Sequence, residues 1–378
     1  MGFVKRISAF ILIFAFCTSF SSVFIYAENI SISNISANSA CIIDSDSGRV
    51  LYSKNGSKRM PMASTTKIMT AIVALESGIP LDTKIKIPKE AVGIEGSSVY
   101  LKQNEVVSFE MLLYALMLSS ANDSAVAIAY TVSGSTNDFV ALMNKKASDL
   151  GLSDTCFTNP HGLYDENHYT TAENLAKIMA YAMKNKDFAK ITSTYSKAFA
   201  RDDGTSFLLS NHNRLLKTYD GIIGGKTGFT KKSGRCLVTC AERDGLQLVC
   251  VTLNAPDDWN DHAKLYDFGF ANYKRVFFGA QSIKIPVISG TKSEILAQSN
   301  SFSIVLPKEH SEISVKIHTP RFLFAQIKCG DKVGEVIYIY QGKVIATSPL
   351  YATEDVAKIK YKFNLFEWLR DFFKGLLN

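Results

Sequence analysis

The sequence predicts an α/β protein of the α+β kind: an antiparallel sheet with helices, followed by a small all-β domain and a C-terminal amphipathic helix. Three observations carry this expectation. Strand-like runs bracket a long helical middle, which fits an N-terminal hairpin pairing with strands that return late in the chain. After residue 278 the patterns are short strands. In the last residues apolar side chains recur at helical spacing. The expected divisions are 1–27, 28–277, 278–357 and 358–378.

Residues 1–27 carry Lys5 and Arg6, then the apolar "ISAFILIFAF", then "IYA" before Glu28, the layout of an export signal. An uncleaved anchor is the alternative, and either reading places the remainder outside the cytoplasmic membrane. "SACIIDSDSGRVLYSK", 39–54, reads as a hairpin, with two β-rich runs flanking the turn-forming "DSDSG". Residues 68–75 form an apolar run broken only by Thr70, which marks a buried helix. "FEMLLYALMLSS" and "DSAVAIAYTV" add two helical patterns broken at "SSAND". "TNDFVALMNKKASDLGL" and "TAENLAKIMAYAMKN" follow, separated by the polar loop "TNPHGLYDENHYT". From Gly221, "GIIGGKTGFT", "GRCLVTCAE" and "LQLVCVTLNA" alternate with the turns "KKSG" and "RDG", an antiparallel meander. A helix around "DHAKLYDFGFANYKRVF" closes the domain.

The β domain is read from "SIKIPVI", "FSIVLPK", "ISVKIH", "GEVIYIY" and "KVIATSPLY". In the tail, Leu365, Phe366, Leu369, Phe372, Phe373, Leu376 and Leu377 recur at helical spacing behind Lys358, Lys360 and Lys362. Its charges and short length make it a poor spanning helix and a good interfacial one. A membrane surface is the expected partner; docking on the protein itself or on another protein is the alternative.

The chain has 378 residues, 47% hydrophobic and 20% charged, the range of a globular protein with room for two cores. Loss of Lys5 and Arg6 with the signal would lower the net charge from +7 to +5. That mild excess suits an anionic membrane or wall polymer. No dense basic run interleaved with aromatics points to nucleic acid. Beyond Cys17 the cysteines are Cys41, Cys156, Cys236, Cys240, Cys250 and Cys329. They show no metal-ligand spacing, and buried thiols serving as small hydrophobes are the expectation. No cofactor or metal is expected.

The chemistry concentrates in three short motifs. Ser64 and Lys67 stand one helical turn apart, so both side chains reach one face. A serine hydroxyl becomes a useful nucleophile once a base takes its proton, and a buried, partly neutral lysine can do that. Ser64 is expected to open the buried helix, where free amides favour a developing anion. The same spacing at Ser289 and Lys292 sits in a Gly-rich turn between strands and has no such setting. Ser120 and Asn122 lie at the break between two helices, where they could serve the lysine or simply cap a helix. In "GGKTGFT", Thr227 can bond a carboxylate and Lys226 adds charge. Gly228 leaves the strand open to a peptide. A Gly-rich hairpin with surface polar residues is the plainer alternative.

Together, in the order Ser64-x-x-Lys67, Ser120-x-Asn122, Lys226-Thr227-Gly228, the motifs match the set shared by penicillin-binding proteins and class A β-lactamases. The chain resembles the low-molecular-mass penicillin-binding proteins that act as serine D-Ala-D-Ala carboxypeptidases. The resemblance runs through the "IIDSDSGRVLYSKN" hairpin, "NPHGL", "AERDGLQLVCVTLNAP", the β domain and the tail. It implies a serine β-lactamase/DD-peptidase-like fold. It implies that Ser64 attacks the bond between the last two D-alanines of peptidoglycan stem peptides, with Lys67 as base and Ser120 and Asn122 beside it. Lys226 and Thr227 would hold the terminal carboxylate, and the amides of Ser64 and Phe229 would form the oxyanion hole. His161 of "NPHGL" would shape the loop beside the site. β-Lactam antibiotics, which resemble the substrate terminus, would acylate Ser64 and stay.

Two other readings share these residues. A β-lactamase would need a carboxylate to activate the deacylating water. Glu166 and Glu173 follow "NPHGL", though not in the Glu-x-x-Leu-Asn arrangement of such enzymes. An exported wall-binding protein could keep the fold and lack turnover.

Overall fold

The computed structural model describes residues 32, 34–200, 206–360 and 365–376, so the export signal expected at 1–27 lies outside the described residues. The described chain forms two compact units. One comprises residues up to 275 with 305–309; the other comprises 276–304 and 310 onward.

The first unit is built on a five-stranded sheet. Its strands are β1 (Ser39–Asp44), β2 (Val50–Lys54), β3 (Ile222–Thr230), β4 (Gly234–Arg243) and β5 (Leu246–Leu253), in the spatial order β2-β1-β5-β4-β3. The N-terminal hairpin therefore pairs with the C-terminal meander, through Ile42 opposite Cys250 and Cys41 opposite Val251. Side chains alternate between the faces of a strand, and here both faces are covered. Cys41, Ile43, Val238 and Val249 face a large helical core, while Ile42, Ala241, Leu248 and Cys250 face a second, smaller one. That double burial explains why these strands read as nearly continuous apolar runs.

The large core is supplied by α1 (Lys67–Glu76), α2 (Phe109–Met117), α3 (Asn122–Ser133), α4 (Thr136–Asp149), α5 (Ala172–Met183) and α6 (Lys186–Ser193). The smaller core is closed by α7 (Asp258–Asn272), which lays Leu265, Tyr266 and Phe270 on the sheet. This helix stops at Asn272; Tyr273 is already extended and begins a strand, Tyr273–Phe278, so the tail of "DHAKLYDFGFANYKRVF" leaves the helix it was read into. The β-branched and aromatic content of "YKRVFF" suits a strand better than a helix. Ser196–Ala200 pairs with Ser206–Ser210, an element whose alternating exposure gives no continuous apolar signal in the sequence.

The second unit carries a six-stranded sheet. Its strands are β6 (Ser282–Ile288), β7 (Glu294–Ser299), β8 (Ser314–His318), β9 (Leu323–Phe324), β10 (Lys332–Tyr340) and β11 (Lys343–Ala352), in the order β8-β10-β11-β7-β6-β9. Alternate residues of β6, β7, β10 and β11 bury Ile285, Ile295, Val336 and Leu350 in one core. The strand Phe302–Pro307 forms outside this sheet, and "EILAQS" supplies a member that sequence reading missed. The tail forms α8 (Leu365–Leu376). Cys41, Cys236, Cys240 and Cys250 are buried thiols as expected, whereas Cys156 is half-buried and Cys329 is exposed.

Candidate active site

The site begins at a backbone irregularity. Ala63 has φ +47°, in the left-handed region, and the chain then makes a single 3-10 turn, Ala63–Thr66, before α1 starts at Lys67. Ser64 thus stands on a tight turn ahead of the helix, not on the helix itself. The turn is held locally: the Thr65 hydroxyl donates to Met62 O (2.6 Å) and the Thr66 hydroxyl to Ala63 O (2.8 Å). Side-chain bonding of this kind competes with regular helix, which accounts for the offset.

Lys67, the first residue of α1, is 0% exposed. Its ammonium donates to Ser64 Oγ (3.0 Å), to Asn122 Oδ1 (2.6 Å) and to the His161 carbonyl (2.6 Å). Three oxygens satisfy the three N–H donors, yet burial dominates. Loss of solvent, reinforced by the charge of Lys226, holds the Lys67 pKa well below that of an ordinary lysine. Neutral Lys67 keeps its place beside the serine oxygen and gains a lone pair able to accept the proton.

The break between α2 and α3 resolves the alternative left by "SSAND". Ala121 occupies the N-cap position and makes no side-chain cap, so Asn122 is not spent on capping. Its Nδ2 donates to Glu95 O (2.5 Å), which turns Oδ1 toward Lys67. Ser120 is buried at φ +58° and lines the cleft in front of Ser64, but it is not among the hydrogen-bond partners of Lys67. Asp123, which sequence reading passed over, fixes the facing loop. Its carboxylate accepts from Ser98 Oγ (2.6 Å) and from the amides of Val99 (3.1 Å) and Leu101 (3.1 Å). An acid in the first turn of a helix was the available signal, though many such acids merely face solvent.

The "NPHGL" loop crosses directly over the turn of Ser64. Gly162 has φ +89°, and a Cβ there would lie 2.0 Å from Ala63 O, so only glycine fits. His161 contributes its backbone carbonyl to Lys67, while its ring Nδ1 accepts from Leu163 N (3.2 Å). Burial, with help from Lys67, pushes the His161 pKa down to about 3, so the ring is neutral and turned to loop structure. His168, pushed down to about 4 by burial, bonds Thr66 Oγ1 through Nε2 (2.7 Å) and ties the loop to the same turn.

Strand β3 is the edge of the sheet, and its open side approaches Ser64. A Cβ on Gly228 would lie 3.0 Å from Ser64 N and 3.1 Å from Thr65 N. Lys226 is 1% exposed and donates to Thr227 O (3.1 Å); burial brings its pKa to about 7. It therefore carries only part of a charge near neutral pH, less than the full positive charge expected of it. Thr227, Gly228 and exposed Phe229 line a cleft of about 330 Å³ together with Ser64, Ser97, Ser120 and His212.

Among the residues lining this cleft the permanent positive charge is Arg235. It lies opposite Phe229 in the β3–β4 hairpin and donates to Asp258 Oδ1 through Nε (3.0 Å) and Nη2 (2.7 Å). Trp259 faces its guanidinium at 5.6 Å. Hairpin register across "KKSG" was the signal that would have found it. Glu166 is exposed, and Glu173 bonds Ser53 Oγ at the far hairpin (2.8 Å), so neither carboxylate joins the site. The twin motif is different in kind: Ser289 sits on an exposed turn and Lys292 pairs with Glu354.

A serine on a strained turn, a buried lysine of lowered pKa and an open sheet edge beside them define a serine acyl-transfer enzyme. Comparison with known proteins is specific about which kind. Residues 26–257 match the D-alanyl-D-alanine carboxypeptidase family, Peptidase S11, and residues 271–358 match the C-terminal domain of penicillin-binding protein 5. D-alanyl-D-alanine carboxypeptidase DacF of Bacillus subtilis is 34% identical over 335 residues, 85% of this chain and 86% of that protein. The solved structure of penicillin-binding protein 5 from Haemophilus influenzae superposes with a TM-score of 0.77 at 29% identity, covering 87% of this chain and all of that one. A mutant of the Streptomyces K15 DD-transpeptidase, also solved, matches 64% of this chain and all of its own, with a TM-score of 0.61 at 32% identity. The chain belongs to the D-alanyl-D-alanine carboxypeptidase family and is a serine-type enzyme of the penicillin-binding protein class.

Proposed function

We propose that Ser64 is the nucleophile and Lys67 the base that activates it, acting on peptidoglycan stem peptides that end in D-Ala-D-Ala. The 3.0 Å contact between Lys67 Nζ and Ser64 Oγ, inside a fully buried lysine environment, carries this assignment. The peptide adds along the open edge of β3, which Gly228 allows to lie directly against the turn of Ser64. Lys67 takes the hydroxyl proton as Ser64 Oγ attacks the penultimate carbonyl carbon. The carbon–nitrogen bond then breaks, and terminal D-alanine leaves with a proton returned from the lysine side of the site, past Ser120. Water attacks the resulting ester and frees the shortened peptide and the serine. The amides of Ser64 and Phe229 receive the oxyanion in both steps.

The substrate carboxylate meets Thr227, partly charged Lys226 and the fixed charge of Arg235. Asp258, the carboxylate lining the cleft, is engaged by Arg235 and so is poorly placed to activate water. A β-lactam opens on Ser64 with its amine still tethered to the acyl group, and the engagement of Asp258 by Arg235 supports a persistent adduct over β-lactamase turnover.

The same reading places the enzyme outside the cytoplasmic membrane, with α8 lying on the membrane surface. Phe366 (84% exposed), Phe372 and Phe373 of this helix face outward. Among the described residues no helix is long and apolar enough to cross a membrane. The deciding assay is D-alanine release from a stem pentapeptide, with penicillin adduct mass read in parallel. Wild-type protein releases D-alanine and holds one penicilloyl group; Ser64→Ala does neither. An adduct that survives Ser64→Ala removes the nucleophile assignment, and rapid penicillin turnover favours a β-lactamase.

A further inference from the structure

We propose that one corner of the β domain is a second lipid-facing contact, which inserts Phe322 and Phe324 among the headgroups of an anionic bilayer. The inference rests on the reading of α8 as an interfacial helix and adds a separate point of attachment.

Three segments meet at this corner. Strand β9 pairs with the end of β6 through Ile288 opposite Phe324, and Ala325 N donates to Ile288 O (3.0 Å). The turn that follows β6 pairs with the chain leading to α8: Thr291 N donates to Ala357 O and Ile359 N to Ser289 O, each at 2.9 Å. The segment from 288 to 292, the segment from 321 to 325 and the last residues before the tail are thus hydrogen-bonded into one edge.

This edge is apolar and exposed. Phe324 is 66% exposed and Phe322 43%, with their rings 5.4 Å apart in an edge-to-face pair. Ile288 and Ile359 are exposed beside them. Two large aromatics held outward on a short sheet edge are costly in water, and they match the amphipathic composition of a bilayer interface.

The surrounding charge selects the kind of surface. Arg321, Lys358 and Lys360 are exposed and form no ion pair among the described residues. The nearby acids are engaged: Glu354 with Lys292, and Asp355 with the amide of Cys329 (2.6 Å). Unpaired cations around apolar side chains favour anionic headgroups. Chain length then fixes the proximity. Lys360 precedes Leu365 by five residues, which span at most about 17 Å when fully extended. A helix lying on the bilayer therefore holds Lys360, at the end of this edge, within that distance of it.

The test uses the chain freed of its export segment and measures sedimentation with phosphatidylglycerol or phosphatidylcholine vesicles. Phe322→Ser/Phe324→Ser should weaken binding to phosphatidylglycerol vesicles on the order of tenfold, with penicillin acylation unchanged as the control for folding. Arg321→Gln/Lys358→Gln/Lys360→Gln should abolish the preference for phosphatidylglycerol. Phe372→Ser/Phe373→Ser reports on the tail alone. If the tail variant loses binding while Phe322→Ser/Phe324→Ser matches wild type, the corner is not a lipid contact and the tail reading stands. If wild type binds neither vesicle, the tail reading fails and the corner fails with it. If Phe322→Ser/Phe324→Ser instead dissolves a dimer and leaves vesicle binding intact, the patch belongs to a second copy and the proposal is overturned.

Discussion

Two buried lysines, the proposed base and a proposed partner of the substrate carboxylate, should set the pH behaviour of the site. Lys67 is desolvated and repelled by Lys226; Lys226 itself is brought to about 7 by burial. With Lys67 as the proposed base, acylation draws on its neutral form, so its rate should fall as pH drops through the pKa of this coupled pair. His161 and His168, at about 3 and about 4, stay neutral over the same range and do not supply this limb. Lys226→Met removes a positive neighbour, which favours protonated Lys67 and raises its pKa. The acid limb of penicillin acylation should then move to higher pH, whatever happens to the maximal rate. A limb that stays fixed or moves down would separate the two lysines electrostatically. The rate is measured as fluorescent-penicillin labelling across a pH series.

At the scale of elements, the catalytic turn is held between a loop and a strand that both come within contact distance through glycine. Gly162→Ala would force a Cβ toward Ala63 O and drive the "NPHGL" loop outward, carrying the His161 carbonyl away from Lys67. Displacement by about an ångström lowers rates on the order of a hundredfold. Gly78 offers the comparison: its φ of +77° is similar, but a Cβ there meets nothing within 4 Å. Gly78→Ala should lose about 1 kcal/mol of stability and leave acylation intact. Equal effects of the two variants on acylation would mean that the approach of the loop to the turn is unimportant.

The whole first unit carries a liability in acid. His262 on α7 is fully buried, with Nδ1 against Thr239 Oγ1 (2.7 Å) and Nε2 against Thr252 Oγ1 (3.0 Å), so it couples that helix to two sheet strands. Burial lowers its pKa from 6.5 to about 3. Between those values the unfolded chain binds more protons than the native one, so this histidine's contribution to stability falls as pH drops. His161 and His168 add in the same direction. His262→Gln can still bond both threonines but does not protonate. Its thermal midpoint should therefore decline less than that of wild type between pH 7 and pH 4, although it starts lower. Parallel decline of the two proteins would place the acid sensitivity elsewhere.

The sequence by itself determined what depends on neighbours along the chain. Turn residues and period-two runs marked the hairpin and the meander, an apolar run marked α1, a helical pattern marked α2, and fixed spacings marked Ser64 and Lys67. Gly228 was legible as part of the Lys-Thr-Gly motif, while its physical reason, the close approach of the Ser64 turn, was not. Contacts between distant segments were decided by tertiary structure. That the turn carrying Ser64 lies against Gly162, nearly a hundred residues from Ala63, follows from the path of the "NPHGL" loop. That Asn122 serves Lys67 and not the helix cap follows from where Glu95 lies. That His161 acts through its carbonyl, that Lys226 is only partly charged and that Arg235 supplies the lasting charge all follow from burial and register. These are properties of the space around a side chain, and residue type and spacing do not encode that space directly.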